Sequence, residues 1–344
     1  MAQSQLTWPR FILGAAIKHH RQSQGLAGSS DELPALRRHY AEQVEPVSRK
    51  FENQRVATLK SFRKRLYLSL MITLVVCAVL LLFAPYIMAQ PTVEVLWPCG
   101  LVMLGLFWWS ASPIRRYQSD IKVQVFPRIF RYFGDDFIFS DNHRLSLSTF
   151  KQAKILPRYD RAKHEDYVQG TYRGVEIVLN EIALVRRVKR HNRTVDQPVF
   201  KGLAIELSCK KPFHGHTVLI KNRGGVMNFF SDRYEGLQRV KLEDAKFEKR
   251  FDVFSTDQVE ARYLLTLAFM ERLQALAALF GESFQCAFYQ QKLFILLDSK
   301  INRFELGSVL KGASFEHEFS QINHEMKQLF AIIDVLKLDE YTGL

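Results

Sequence analysis

No Walker loop, GxGxxG, GxSxG or HExxH pattern occurs in the 344 residues. The phosphate cradle, the dinucleotide turn, the nucleophile elbow and the zinc-protease helix therefore have no support in the sequence. Cysteine is scarce: Cys77, Cys99, Cys209 and Cys286, with no CxxC spacing. That argues against a disulfide framework or a thiolate zinc site, and the four read as buried apolar thiols. His214 and His216 offer two ring nitrogens near Cys209, but a fourth ligand is missing and Lys210 and Lys211 repel a cation. They read as a surface turn. His317 and His324, seven apart on one helix, read as a partly exposed pair. No catalytic, cofactor-binding or metal-binding residue is assigned, and no cofactor is expected.

Charge is absent from Tyr67 to Ala89, 23 positions, and from a second apolar run, Val95 to Ile114. At 1.5 Å per residue, runs of this length span roughly 30 Å, the thickness of a bilayer's hydrocarbon core. The pair, 67–89 and 95–114, is expected to form a transmembrane hairpin. Arg and Lys are missing from the connector, whereas Lys60, Arg63, Lys64 and Arg65 precede the runs and Arg115 and Arg116 follow them. The positive-inside rule then places both termini in the cytoplasm, with the chain as a multi-pass membrane protein.

Basic residues outnumber acidic ones unevenly. Residues 1–66 carry 12 against 5, residues 115–193 carry 17 against 9, and residues 194–344 carry 19 against 20. The positive excess thus lies on either side of the apolar runs. Anionic lipid headgroups are the expected partner of such segments, and nucleic acid is an unlikely one. Within this excess, Arg186, Arg187, Lys189, Arg190 and Arg193 form a basic loop, a candidate contact for phosphate or an acidic partner. An ordinary solvated hairpin tip explains it equally.

Four segments organise the chain. Residues 1–29 are a loose or membrane-surface terminus closed by Gly25 to Ser30, and 30–66 are an amphipathic helix capped by Ser30. Its stripe Leu33, Leu36, Tyr40, Val44, Val47 and Phe51 has coiled-coil spacing, read either as packing on the chain itself or as a homo-oligomer contact through 33–51. Pro46 is expected to kink it. The hairpin occupies 67–114, and 115–344 read as a cytoplasmic domain. In that domain Asp166–Gly174 and Val175–Leu184 form a hairpin, with further strands at Phe200–Leu207, Thr217–Lys221, Phe251–Val253, Phe284–Phe288 and Leu293–Leu297. Ser255 and Gln258 match a capping box, Leu267–Phe280 form a second helix, and a last helix starts at Ser314. Strands first and helices later predict an α+β fold with a mostly antiparallel sheet.

Several runs carry a family resemblance. They are Glu165-Asp166-Tyr167-Val168-Gln169-Gly170, Glu181, Phe200-Lys201-Gly202-Leu203, Leu242-Glu243-Asp244, Phe251-Asp252-Val253 and Thr256 through Thr266. Over roughly residues 30–340 the chain resembles the domain-of-unknown-function 3137 family of bacterial membrane proteins, departing from it at Leu267. The resemblance implies two spans, a cytoplasmic domain and a LemA-type membrane protein as companion, and it brings no catalytic residue. The richest polar run within it, Glu243, Asp252, Asp257, Glu260 and Arg262, reads as a structural ion-pair network, with Arg262 reaching Asp252 or Glu243, or as a partner site. The leading reading is a membrane-anchored binding or adaptor protein. A lipid-handling domain with an enclosed apolar pocket and a hydrolase with dispersed residues stay open.

Overall fold

A computed structural model describes residues 26, 31–82, 92–190, 193–222, 234, 236–280, 284–298, 309–310 and 312–340. The chain divides into two compact units, Met1–Ile129 with Leu306–Ser320, and Phe130–Glu305 with Gln321–Leu344.

The first unit is built on helices. α1 (Leu33–His39) opens with Pro34 in its first turn, where a missing N–H costs nothing. Glu32, and not Ser30, holds the N-cap position. A π turn, Tyr40–Val44, leads into α2 (Glu45–Leu82), whose second residue is Pro46. α3 (Thr92–Phe130) is the other long helix. Leu36, Tyr40, Val44 and Phe51 are all buried within this unit. Phe51 meets Tyr117 of α3 and Phe315 edge-on at 5.9 and 6.3 Å, and Tyr40 stacks near Phe319. Toward the apolar runs, Arg65 donates to Ser112 Oγ at 2.7 Å and Ser110 Oγ lies 3.2 Å from Ser69 Oγ.

The expectation of a transmembrane hairpin does not hold. Among the described residues no helix is long and apolar enough to cross a membrane. The described charge-free part of α2 is Tyr67–Leu82, about 24 Å at 1.5 Å per residue. Gln90 and Pro91, in the expected connector, lie outside the described residues, and α3 begins at Thr92. The later part of the second run carries Ser110, Ser112 and Pro113 among its apolar residues. Cys77, expected to be buried, is exposed.

The second unit centres on an antiparallel sheet, nine-stranded among the described residues, in the order β1-β2-β3-β4-β9-β8-β5-β7-β6. The strands are β1 (Ile138–Ser140), β2 (Arg161–Tyr172), β3 (Val175–Arg190), β4 (Arg193–Ser208), β5 (Thr217–Lys221), β6 (Gln238–Val240), β7 (Phe251–Ser255), β8 (Phe284–Tyr289) and β9 (Lys292–Asp298). The α+β class and antiparallel sheet expected from sequence are therefore present. Arg173 and Gly174, both at positive φ, make the two-residue turn between β2 and β3. Gly170 on β2 lies so close to the Phe137 ring that a Cβ there would stand 2.6 Å from it, which reserves the position for glycine. On one sheet face α4 (Leu147–Gln152) places Phe150 edge-on against Phe294 of β9 at 4.9 Å. The short α5 (Ala245–Arg250) and α6 (Gln258–Leu264) flank β7, and α7 (Leu267–Phe280) packs Phe269 near Phe288. α8 (Glu316–Leu336) runs on into this unit, where Phe330 stacks on Tyr172 at 4.2 Å.

Candidate functional site

The sequence-selected charges separate into a corner around β7 and a ribbon at the end of β3 and β4. At the corner, Asp257 and not Ser255 caps α6: its carboxylate accepts from the N–H groups of Val259 and Glu260. Ser255 instead sits in β7 and exchanges hydrogen bonds with the Asp257 backbone. Glu260 turns away from the expected network, and its carboxylate accepts from the backbone of His214 and Gly215. Asp252 pairs with Arg239 across β6 and β7 at 2.6 Å, a partner the sequence reading missed. Cross-strand register supplies that contact, since Arg239 pairs with Phe254 two residues from Asp252.

Arg262 reaches neither Asp252 nor Glu243 in an ion pair; it is exposed. Residues seven or more apart around a short helix and a strand do not meet merely because both are charged. What the structure does bring together is Glu243 and Arg262 on the walls of an open cleft of about 520 Å³. Lys241 adds a second cation, and Leu265, Leu267 and Met270 supply apolar lining. Asp244, beside Glu243, is held below the usual carboxylate range chiefly by the Lys246 N–H, as expected for the N-cap of α5. The volume lies within the range of small-ligand clefts, but charged groups line it and it is not an enclosed apolar pocket.

The expected basic loop is a strand pair. β3 and β4 stay in register out to Arg190 opposite Arg193, so the residues alternate between two faces where a loop would gather them. β2 leaves β3 at the pair Arg161–Val185, and β9 leaves β4 at Gly202–Asp298. Beyond those points the two strands pair only with each other among the described residues, a ribbon of about 17 Å at 3.3 Å per residue. Val199 is an extra residue between the pairs Leu184–Phe200 and Val185–Pro198. Such a bulge, with Pro198 and the arginines, discourages edge-to-edge pairing.

Buried ionisable groups elsewhere have structural roles. His216, read from sequence as part of a surface turn, is buried; its Nε2 lies 2.9 Å from the Ala153 carbonyl, and its ring tilts against Tyr289 at 4.8 Å. Burial pushes the Cys209 thiol up to about 12 and raises Cys286 as well, so neither supplies a thiolate near neutrality. His317 and His324 are both exposed, and among the described residues no group of three His, Cys, Asp or Glu side chains is placed to hold a metal ion.

The family described as "Protein of unknown function (DUF3137)" matches residues 198–338. The chain is similar to that family over these residues, less than half of its length. The match covers β4 from Pro198 onward, the corner and its cleft, β8, β9 and α8, a shorter stretch than the roughly 30–340 expected. No curated protein matches. Among solved structures, the "crystal structure of the mycobacterial trehalose monomycolate transport factor A, TtfA" is similar at 11% identity and a TM-score of 0.28, over 60% of this chain and 91% of that one. A likeness of that size transfers neither fold nor ligand.

Proposed function

We propose that this chain is a binding or adaptor protein that lies against a lipid surface at the cytoplasmic side of the membrane and offers its sheet unit to partners. One observation carries the reading. Leu68, Leu70, Met71, Leu74, Val75, Val79 and Leu82 of α2 are exposed, and so are Leu101, Val102, Leu104 and Phe107 of α3, with Leu74 and Phe107 each 64% accessible. Contiguous exposed apolar side chains of this number mark an interaction surface. At the end of these runs the Arg65 guanidinium lies 4.9 Å from the centre of the Trp109 ring, and Arg115 lies 4.6 Å from Trp108. Indole rings beside cations suit the boundary between headgroups and acyl chains, where a helix rests on the bilayer without crossing it. The cleft beside α7 supports recognition over lipid enclosure, because it is open and charged.

The test is sedimentation of the full chain with phosphatidylcholine vesicles. Wild type is expected in the pellet, and Leu74→Glu with Phe107→Glu in the supernatant. Wild-type protein that stays in the supernatant would overturn the reading.

A further inference from the structure

We infer that one face of the β3–β4 ribbon is a docking surface for anionic lipid headgroups, an inference that rests on the lipid-surface reading. Residues directly opposite in an antiparallel pair share a face, as do residues two apart on one strand. The register pairs Arg186 with Gln197 and Val188 with Val195, which places these four with Arg193 on one face. By register Arg190, opposite Arg193, falls on the same face, and among its described side chains are Arg186, Arg193, two valines and a glutamine, with no carboxylate. Arg186, Arg193, Val195 and Gln197 are all exposed, Val195 by 48%.

The other face, which also holds Lys189, is partly neutralised. Arg187 pairs in register with Asp196, at 3.9 Å side chain to side chain, and Asp196 also meets Arg161 at 3.4 Å. The Asp160 carboxylate accepts the Arg187 N–H at 2.6 Å. Asp196 therefore lies on the Arg187 side, Asp160 is engaged by the Arg187 backbone, and no described carboxylate lies on the Arg186 face.

Charge complementarity selects an anionic partner. The two valines decide between partners of that charge. Apolar side chains set among arginines gain from entering the headgroup boundary, whereas a phosphodiester backbone offers them nothing. The ribbon also extends past the last described pairs that β2 makes with β3 and β9 makes with β4.

The experiment uses the full chain, phosphatidylcholine vesicles with and without phosphatidylglycerol, and the paired variant Arg186→Gln, Arg193→Gln. Wild type is expected to favour the anionic vesicles. The paired variant should lose about thirtyfold in partitioning to them at low salt, as two surface cations warrant, with unchanged partitioning to phosphatidylcholine alone and an unchanged melting temperature. Arg187→Gln, on the partly neutralised face, should lose clearly less. Equal partitioning of wild type and the paired variant to anionic vesicles, with binding to phosphatidylcholine intact, overturns the ribbon assignment alone. Failure of wild type to bind phosphatidylcholine sinks the earlier reading instead. Duplex DNA that releases wild type from anionic vesicles, yet binds the paired variant poorly, would assign the arginine face to nucleic acid and overturn the lipid proposal.

Discussion

Arg55 and Glu52 form a buried, two-pronged ion pair within one turn of α2. Arg55 Nη2 stands 2.7 Å from Glu52 Oε1 and Nε 2.9 Å from Oε2, with Arg55 only 1% exposed. The pair also holds the chain that returns to this unit: Arg55 Nη1 donates to the Val309 carbonyl at 3.3 Å, and Glu52 Oε2 accepts the Ala313 N–H at 2.9 Å.

Removing one partner strands the other away from water, at a cost of about 3–5 kcal/mol for a buried pair. Arg55→Ala is therefore expected to lower the urea midpoint steeply, and Arg55→Met combined with Glu52→Leu to recover part of the loss. A single variant as stable as wild type would show that the pair is not clamping 309–313.

His216 gives a pH dependence. Burial, with a smaller contribution from Lys154, holds its pKa below the ordinary value, and the bond to Ala153 opposes this only in part. The unfolded chain thus binds the proton more readily than the folded one. Stability is complete above about pH 6.5 and declines as pH falls below that ordinary histidine value toward the lower folded one. His216→Gln should flatten this slope in a pH series of melting temperatures, and an unchanged slope would assign it to other groups.

The β8–β9 turn offers a gain. Gln290 and Gln291 adopt φ of +50° and +58°, a conformation that disfavours side chains bearing a Cβ. Asn-Gly is the preferred sequence for such a turn. Gln290→Asn with Gln291→Gly is expected to stabilise by about 1 kcal/mol, read as a higher midpoint in urea.

Arg262→Ala should leave the melting temperature where it is, since the side chain is exposed and makes no ion pair among the described residues. Its consequence belongs to the cleft it shares with Lys241 and Glu243. Affinity capture from native membranes with Arg262→Ala and Glu243→Gln should lose the same partners that wild type retains. A clear drop in melting temperature for Arg262→Ala would return the residue to a structural role.

Much of the fold is legible in local pattern. Alternating apolar residues locate β2, β3, β5, β8 and β9, whereas the cap of α6 falls on Asp257, two residues beyond the expected Ser255. What escapes is decided by pairing between distant segments. Nothing local tells that Arg186 to Arg190 continue a strand, because both that run and Arg193 to Gln197 hold a single valine among polar residues and only register joins them. Asp252 meets Arg239 for the same reason, and Arg55 is buried because residues from 309 onward cover it. The polar run 243–262 is real as a corner, but its charges serve four separate tasks: capping, a cross-strand ion pair, turn-holding and lining a cleft.

The strand order has a consequence for synthesis. β4 and β5 are adjacent in sequence, yet β9 and β8 stand between them, so β1–β4 and β5–β7–β6 share no edge until residues 284–298 arrive. A nascent chain stopped before Phe284 holds two half-sheets, each with an unsatisfied edge, β4 on one and β5 on the other. The ribosome therefore exposes both edges to chaperones or to neighbouring chains until the hairpin inserts and closes the seam.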